Sequence, residues 1–459
     1  MSRPIRHLAL VATFVCVALP GVRSQPYTAD PSSLPLPETY FPALKEILST
    51  AVSQSPRMIA RNADNAAAEG NRIVMRSGQL PSVGGYYGYY PWQRDWRADL
   101  PRYADVARVN YSLSINQPIY HWGALQNNTH IGEIQLRMTE GQTAEGYRIL
   151  VQEIRAQYLG LIIKKAAVAK SRLYLKMAED NYAVSKTKLE KKVISEADMF
   201  LPQVTLDRAR LAADRGEEDY NDGKSVFAKL SGTPVLSDAQ IPEEIPDPAG
   251  PVPALEPMLA DYTSHKEPNS YNLKYLGDQI EVEKLTYENT KTRLLPQLNF
   301  QIATSQDQTS YTTNIAAKYR LTSIYTGFMI NWSIFDGFAT RGAMASSLAR
   351  RRQLEQSYKD MSANLADQAH SQLKQVEFAR RGMVIANQLL QSSAGALQYR
   401  KADAARGLAS EADVNTFQLS YQEAQLNAYS ARYDYLMKTG EFLSTMLMDP
   451  ALANLPKHP

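Results

Sequence analysis

Residues 195–198 read Ser-Glu-Ala-Asp, and residues 410–413 read Ser-Glu-Ala-Asp again. The interval is 215 residues (410 − 195). It also carries Leu80-Pro81 onto Leu295-Pro296, and Ile115, Asn116 and Ile119 onto Ile330, Asn331 and Ile334. One register held from residue 80 to residue 198, with no net insertion, marks an internal duplication. Two structurally equivalent halves are expected.

Each half contains the same parts in the same order. A helical stretch (40–78, then 269–293) stops at the Leu-Pro pair, because proline lacks the N–H a helix needs. A strand pair follows at about 80–120 and 295–336, then a long helix over 124–192 and 340–406. After a short break come the returning helices, 195–231 and 410–448. The expected organisation is a leader over 1–24, an N-terminal tail over 25–39 and a first repeat over 40–231. A Pro-rich equatorial linker over 232–268, a second repeat over 269–450 and a C-terminal tail over 451–459 complete it. The linker holds eight prolines and seven acids against one lysine, the composition of a surface segment rather than core.

The strands alternate. Val109, Tyr111, Leu113, Ile115 and Ile119 interleave with Asn110, Ser112, Ser114 and Asn116, and the second copy places Ile324, Phe328, Ile330, Trp332 and Ile334 against Gly327, Asn331 and Ser333. Period two with one apolar and one polar face describes a sheet with one face buried. Such alternation, with aromatics at strand ends, also describes membrane β-strands. Tyr86, Tyr87, Tyr89, Tyr90, Trp92 and Trp96 fit an interfacial aromatic belt, and they also fit plain strand packing. Four strands cannot close a barrel, and an open edge in hydrocarbon leaves backbone groups unpaired. Other subunits must complete it, and a bore wide enough to conduct favours three chains over two.

The long helices carry a heptad. Tyr147, Ile154, Leu161, Val168, Leu175, Tyr182 and Leu189 recur every seventh residue, and Val376, Met383, Leu390 and Leu397 continue the register 215 positions on, with Ala379 and Ala386 between. A sustained seven-residue repeat supercoils a helix against a partner. At 1.5 Å per residue, helices near 70 residues span ~100 Å.

Composition removes most other function classes. The apolar stretch Leu8–Leu19 is 12 residues long, short of the ~20 a membrane helix needs. With Arg3, Arg6 and His7 before it and Val22-Arg23-Ser24 after it, the stretch reads as an export leader. Removing residues 1–24 takes three arginines from 50 basic residues, leaving 47 against 47 acids, so no nucleic-acid partner is implied. Cys16 is the only cysteine, which excludes a disulfide framework, and Phe14-Val15 before it does not suit lipid attachment. No catalytic motif is present, and no cofactor or metal site is expected.

In this order, the segments resemble the TolC-like outer membrane efflux proteins across essentially the whole mature chain. The resemblance rests on Asn116-Gln117-Pro118-Ile119-Tyr120-His121-Trp122-Gly123 and its copy Asn331-Trp332-Ser333-Ile334-Phe335-Asp336-Gly337. It rests also on Arg406-Gly407-Leu408-Ala409-Ser410-Glu411-Ala412-Asp413-Val414 and on Ala431-Arg432-Tyr433-Asp434-Tyr435-Leu436. It implies a mainly α chain with membrane β-strands, assembled as a homotrimer into a 12-stranded barrel and an α-helical periplasmic tunnel. It also implies outer membrane lipid around the barrel, and a periplasmic adaptor and inner membrane transporter as partners in efflux or type I secretion. A Gram-negative outer membrane with a periplasmic extension is the implied location. A non-channel coiled-coil scaffold is the alternative, but a scaffold has no need of a lipid-facing sheet.

The resemblance also assigns the tips. Lys192, Val193, Ile194 and Ser195, with Gly407, Leu408, Ala409 and Ser410, would meet adaptor hairpins. Asp413, Glu411 and Asp198 would ring the closed entrance, although the second acid of the family's pattern is Thr416 here. The residues themselves also allow a plainer role, since Ser-x-x-Asp is a capping-box pattern. Lys192 stands where the second copy has Gly407, so unequal tips are expected. Pro202, inside the first returning helix, is expected to kink it.

Overall fold

The computed structural model describes residues 34–97, 100–248, 255–264, 269–310 and 318–455, with side chains at 93–107 and 307–320 left aside. The leader over 1–24 and the belt residue Trp96 lie outside the described residues and side chains. Three helices open the chain: α1 (Pro37–Tyr40), α2 (Pro42–Gln54) and α3 (Pro56–Ser77). Each begins on a proline, whose fixed φ suits the first helical position and whose missing N–H is unneeded there. The prolines thus divide the stretch 40–78 where hydrophobic pattern alone suggests one helix.

Strands β1 (Ser82–Arg97) and β2 (Leu100–Tyr120) lead into α4 (Ala124–Glu190), which returns through α5 (Phe200–Ser231). The second half contains α6 (Leu255–Ser264), α7 (Tyr271–Lys291), β3 (Gln297–Ser310), β4 (Lys318–Asn331), α8 (Ala339–Ala405) and α9 (Glu411–Thr445). Helices α4 and α8 are 67 residues each, and both their ends fall 215 residues apart. The strands form one antiparallel sheet in the order β1-β2-β3-β4. Strand β4 ends at Asn331, so Trp332 and Ile334 lie past the sheet rather than on its apolar face.

The backbone repeats more faithfully than the residues. Positive φ occurs at Trp122, Gly123, Lys192 and Gly232, and again at Gly337, Phe338, Gly407 and Leu447. Every one of the four pairs is separated by 215, and every pair contains one glycine. A left-handed residue with a Cβ costs ~1–2 kcal/mol. The fold therefore demands these turns, and each copy meets the demand with glycine at different places.

Each long helix is covered end to end by two shorter ones. Helix α4 packs on α3 toward the sheet and on α5 toward the far end, and α8 packs likewise on α7 and α9. Where α5 meets α3, Ser55 Oγ donates to Leu230 O at 2.8 Å, capturing a carbonyl the helix end leaves free. Gly232 turns there at φ 76° with no space for a side chain, since a Cβ would stand 2.1 Å from Gln54 O. The heptad residues Tyr147, Ile154, Leu161 and Val168 are buried in this central core, together with Phe227 and Leu436. A second core gathers Ala369, Val376, Ala379 and Met383 of α8 with Phe442 and Leu443 of α9.

Three segments read as peripheral belong to these cores. Within the Pro-rich 232–268, Ile241 and Ile245 are buried against α4, and Leu255, Met258, Leu259 and Tyr262 pack on α8. Helix α6 is the second copy of α2: buried Leu44 and Ile47 fall on buried Leu259 and Tyr262 at the common interval. The C-terminal end is likewise engaged. A 3₁₀ turn over Pro450–Asn454 follows Asp449 and buries Ala451. The residues before α2 behave the same way, since Leu34 and Leu36 are fully covered.

Arg155 ties these ends to α4. Its guanidinium is wholly buried, donates from Nε to Glu38 Oε2 at 2.9 Å and from Nη2 to Asp449 Oδ1 at 2.8 Å, and contacts both carboxylates again through its other hydrogens. Burial opposes its charge, but Asp449 and Glu38 outweigh that and raise its pKa further. Removing one partner of a buried ion cluster strands the others. Arg155→Met should cost about 3–5 kcal/mol in denaturant unfolding of the detergent-solubilised protein, and neutralising Glu38 and Asp449 in the same chain should recover part of the loss.

Candidate tip and sheet sites

The two turns at the far end of the long helices share one geometry. At the first, Val193 N–H donates to Lys188 O at 2.8 Å and Lys192 N–H to Leu189 O at 2.8 Å; at the second, Leu408 N–H donates to Asp403 O at 2.9 Å and Gly407 N–H to Ala404 O at 3.0 Å. Both are Schellman closures, with the left-handed residue at C′. Lys192 adopts φ 56° where Gly407 adopts 77°. The lysine therefore does not make the first turn unequal in backbone, because two hydrogen bonds hold it against its own preference.

Both turns then run into a reciprocal cap. Ser410 N–H and Oγ–H donate to Asp413 Oδ2 at 3.1 and 2.8 Å, and Asp413 N–H donates to Ser410 Oγ at 3.1 Å. Ser195 N–H and Oγ–H donate to Asp198 Oδ2, both at 2.8 Å. These bonds, first from the serine backbone and then from its hydroxyl, hold both aspartate carboxyls below their usual pKa. Asp198, Glu411 and Asp413 are exposed, as are Lys192, Val193, Ser195, Gly407, Leu408 and Ser410; Ile194 and Ala409 are half-buried.

Pro202 does not kink α5. It occupies the third residue of that helix, where its missing N–H breaks no bond, and the turn before it, Glu196–Met199, closes as 3₁₀. The corresponding position in the other copy is Phe417, and α9 starts directly at Glu411.

At the opposite end, register assigns the faces of the sheet. Val83, Tyr87 and Tyr89 of β1 pair with Ile115, Tyr111 and Val109 of β2; Ile115 pairs with Ile302 of β3; Phe300 pairs with Phe328 of β4. This face is mainly apolar, with Thr304, Gln306 and Thr326 among its residues, and it is uncovered: Val83, Phe328 and Ile324 are 67, 72 and 81% exposed. The other face carries Ser112, Ser114, Asn116, Gln301, Ser305, Ser323 and Gly327. Asn299 and Ala303 on that face are only 5% exposed, the pattern of a sheet curled toward its polar side. Strands β1 and β4 are open edges.

The pleat divides the tyrosines. Tyr87 and Tyr89 share the apolar face, whereas Tyr86 and Tyr90 pair with Ser112 and Arg108 on the polar one. Four tyrosines spread over five strand positions cannot form one belt, because neighbours point to opposite sides. Trp92 sits at a bulge toward the far end of β1. Trp332 lies at the helix end, its indole donating to Leu294 O at 3.0 Å. Gln117, its counterpart 215 residues earlier, donates to Gln79 O at 3.0 Å, so two unlike side chains hold the same junction.

The outer membrane efflux protein family model matches residues 47–222, from α2 into α5 of the first repeat. Within those residues the chain is similar to that family. Among solved structures it is similar to the Campylobacter jejuni CmeC outer membrane channel, at 11% identity over 90% of each chain with a TM-score of 0.66. It is similar also to the open state of the Neisseria gonorrhoeae MtrE outer membrane channel (11% identity, 89% of each chain, TM-score 0.65). The outer membrane protein VceC of Vibrio cholerae matches at 12% identity over 88% of this chain and 96% of that one, with a TM-score of 0.62. The comparison with curated proteins finds no match. At these identities the structures establish that the chain shares their fold.

The capped aspartates yield a pH signature. Their depressed pKa means that the cap contributes above the ordinary carboxylate pKa and is lost as pH falls through the folded value. In a Ser410→Ala variant, Asp413 should titrate closer to an ordinary aspartate, read by carboxyl chemical shifts, with Asp198 unchanged. Equal titration in both proteins would contradict the cap.

Proposed function

We propose that three copies of this chain assemble into an outer membrane channel with a helical periplasmic extension. It exports solutes with a periplasmic adaptor and an inner membrane transporter, and performs no chemistry itself. The observation that carries this reading is the sheet: four strands, one side apolar and bare, with two unpaired edges. In hydrocarbon those edges must be paired. Joining β4 of one copy to β1 of the next gives twelve strands with the apolar side toward lipid and the polar side around a wet bore. Trp92 lies ten residues beyond Ser82 along β1. At ~3.3 Å per residue, that separates it from the helix end by about the thickness of the hydrocarbon layer. It and Trp332 can then mark the two interfaces.

The helices support the same assembly. Phe378, Ile385 and Tyr399 fall on a seven-residue step of α8 and are 66, 66 and 79% exposed, a second seam with nothing against it in one chain. A neighbouring copy would cover it. A periplasmic scaffold would account for such a seam, but leaves the bare sheet unexplained.

At the far end, the two tips of each copy would offer the adaptor six similar turns, through Lys192–Ser195 and Gly407–Ser410. Asp413, with Glu411 and Asp198, would place fixed negative charge around the entrance, favouring cations there.

Chemical crosslinking of native outer membranes should trap a trimer, and recovery of the protein as a soluble periplasmic monomer would refute the assembly. Phe328→Arg should reduce membrane insertion, because a cation on the lipid face costs ~2–4 kcal/mol near the bilayer midplane. The same change at Gly327, on the opposite face, should be tolerated. In planar bilayers, Asp413→Ala should alter cation block or selectivity. No change in either would leave that residue only its cap.

A further inference from the structure

The polar face of the sheet is built mostly from small side chains; Tyr325 and Met329 of β4 lie on it opposite Ala303 and Asn299, and β1 adds a pair of rings. Tyr86 and Tyr90 both rise from it, and their hydroxyls meet at 2.8 Å. Their rings lean together over Gly88: a Cβ there would stand 2.6 Å from Tyr86 Oη and 3.2 Å from Tyr90 Cε2. Across the strand Tyr86 faces Ser112, Gly88 faces Asn110 and Tyr90 faces Arg108, whose Nε donates to Asn110 Oδ1 at 3.0 Å, and the two tyrosines remain 53 and 43% exposed. Two half-exposed phenols, hydrogen-bonded to each other, form an aromatic surface with a polar rim. Aromatic rings stack on flat partners more strongly than buried area alone predicts.

Building on the channel reading, we propose that Tyr86 and Tyr90, seated on Gly88, form a binding point in the bore for planar aromatic solutes. The rings supply the stacking faces, and the linked hydroxyls accept or donate a hydrogen bond at the solute's edge. Three copies would place three such posts at one level of the barrel. The posts lie four to eight residues along β1 from Ser82, hence within the barrel rather than at its mouth. They would slow and sort aromatic cargo along a wall otherwise lined mainly by small polar side chains, with Tyr325 of β4 on the same face.

The test uses a cysteine reporter beside the rings, since Cys16 is the chain's only cysteine and lies in the leader. In trimers carrying Ser112→Cys, a charged maleimide should label the thiol, and coumarin should slow labelling. Replacing both tyrosines by serine (Y86S with Y90S) should weaken that protection by about tenfold, the worth of one to two ring contacts. Gly88→Ala, which displaces the rings but keeps them, should weaken it too, and covers the case in which the double variant fails to assemble. Labelling of Ser112→Cys that coumarin never slows would overturn the aromatic site and leave the channel standing. If Leu113→Cys, on the other face, is labelled while Ser112→Cys is not, the polar face is not the wet one and both readings fall.

Discussion

Neither 67-residue helix runs along the other, so each must be covered by shorter ones. Everything around the molecule's middle follows from that. Helices α3 and α5 must share the cover of α4, and α7 and α9 that of α8, so in the first repeat two helix ends meet against an unbroken third helix. Helix ends carry unpaired backbone groups that cannot be buried bare. The junction therefore collects Ser55 on Leu230 O, the left-handed Gly232, and the prolines that start α2 and α3. Arg155 works at the same level. It spends a buried charge to bind two chain ends, Glu38 before α2 and Asp449 after α9, to the helix that runs through.

Duplication explains why the same geometry is met with different residues. At each of the four left-handed pairs one copy keeps glycine and the other does not, and at the sheet junction Trp332 does the work of Gln117. Backbone position is what the two halves have in common. A side chain is free to drift wherever its neighbour can supply the missing bond, as the double closure around Lys192 shows.

This drift sets what could be read in advance. The interval of 215, the heptads and the strand alternation are periodic signals, and periodicity survives substitution; hence the long helices, the tip caps and the sheet were legible. Arg155 was not, because one arginine next to a heptad position looks like a solvated face until both carboxylates arrive from residues 38 and 449. Helix α6 was hidden by proline content, although Leu259 and Tyr262 repeat Leu44 and Ile47. The tyrosines of β1 were legible as aromatic but not as two faces, which only pairing with β2 assigns.

The caps and the proposed entrance charge are one device rather than competing roles. A gate needs a charge that stays put and stays ionised. The Ser410 bonds do both: they orient the Asp413 carboxylate back along its own helix end, and they stabilise its charged form. The peptide dipoles at the start of α9 favour the same charge. An aspartate without its serine would be a mobile acid on a frayed turn, able to neutralise as it approached its symmetry mates. Capping is therefore what would let three like charges be held near one axis, and the same pattern at Ser195 and Asp198 gives the first tip the same capacity.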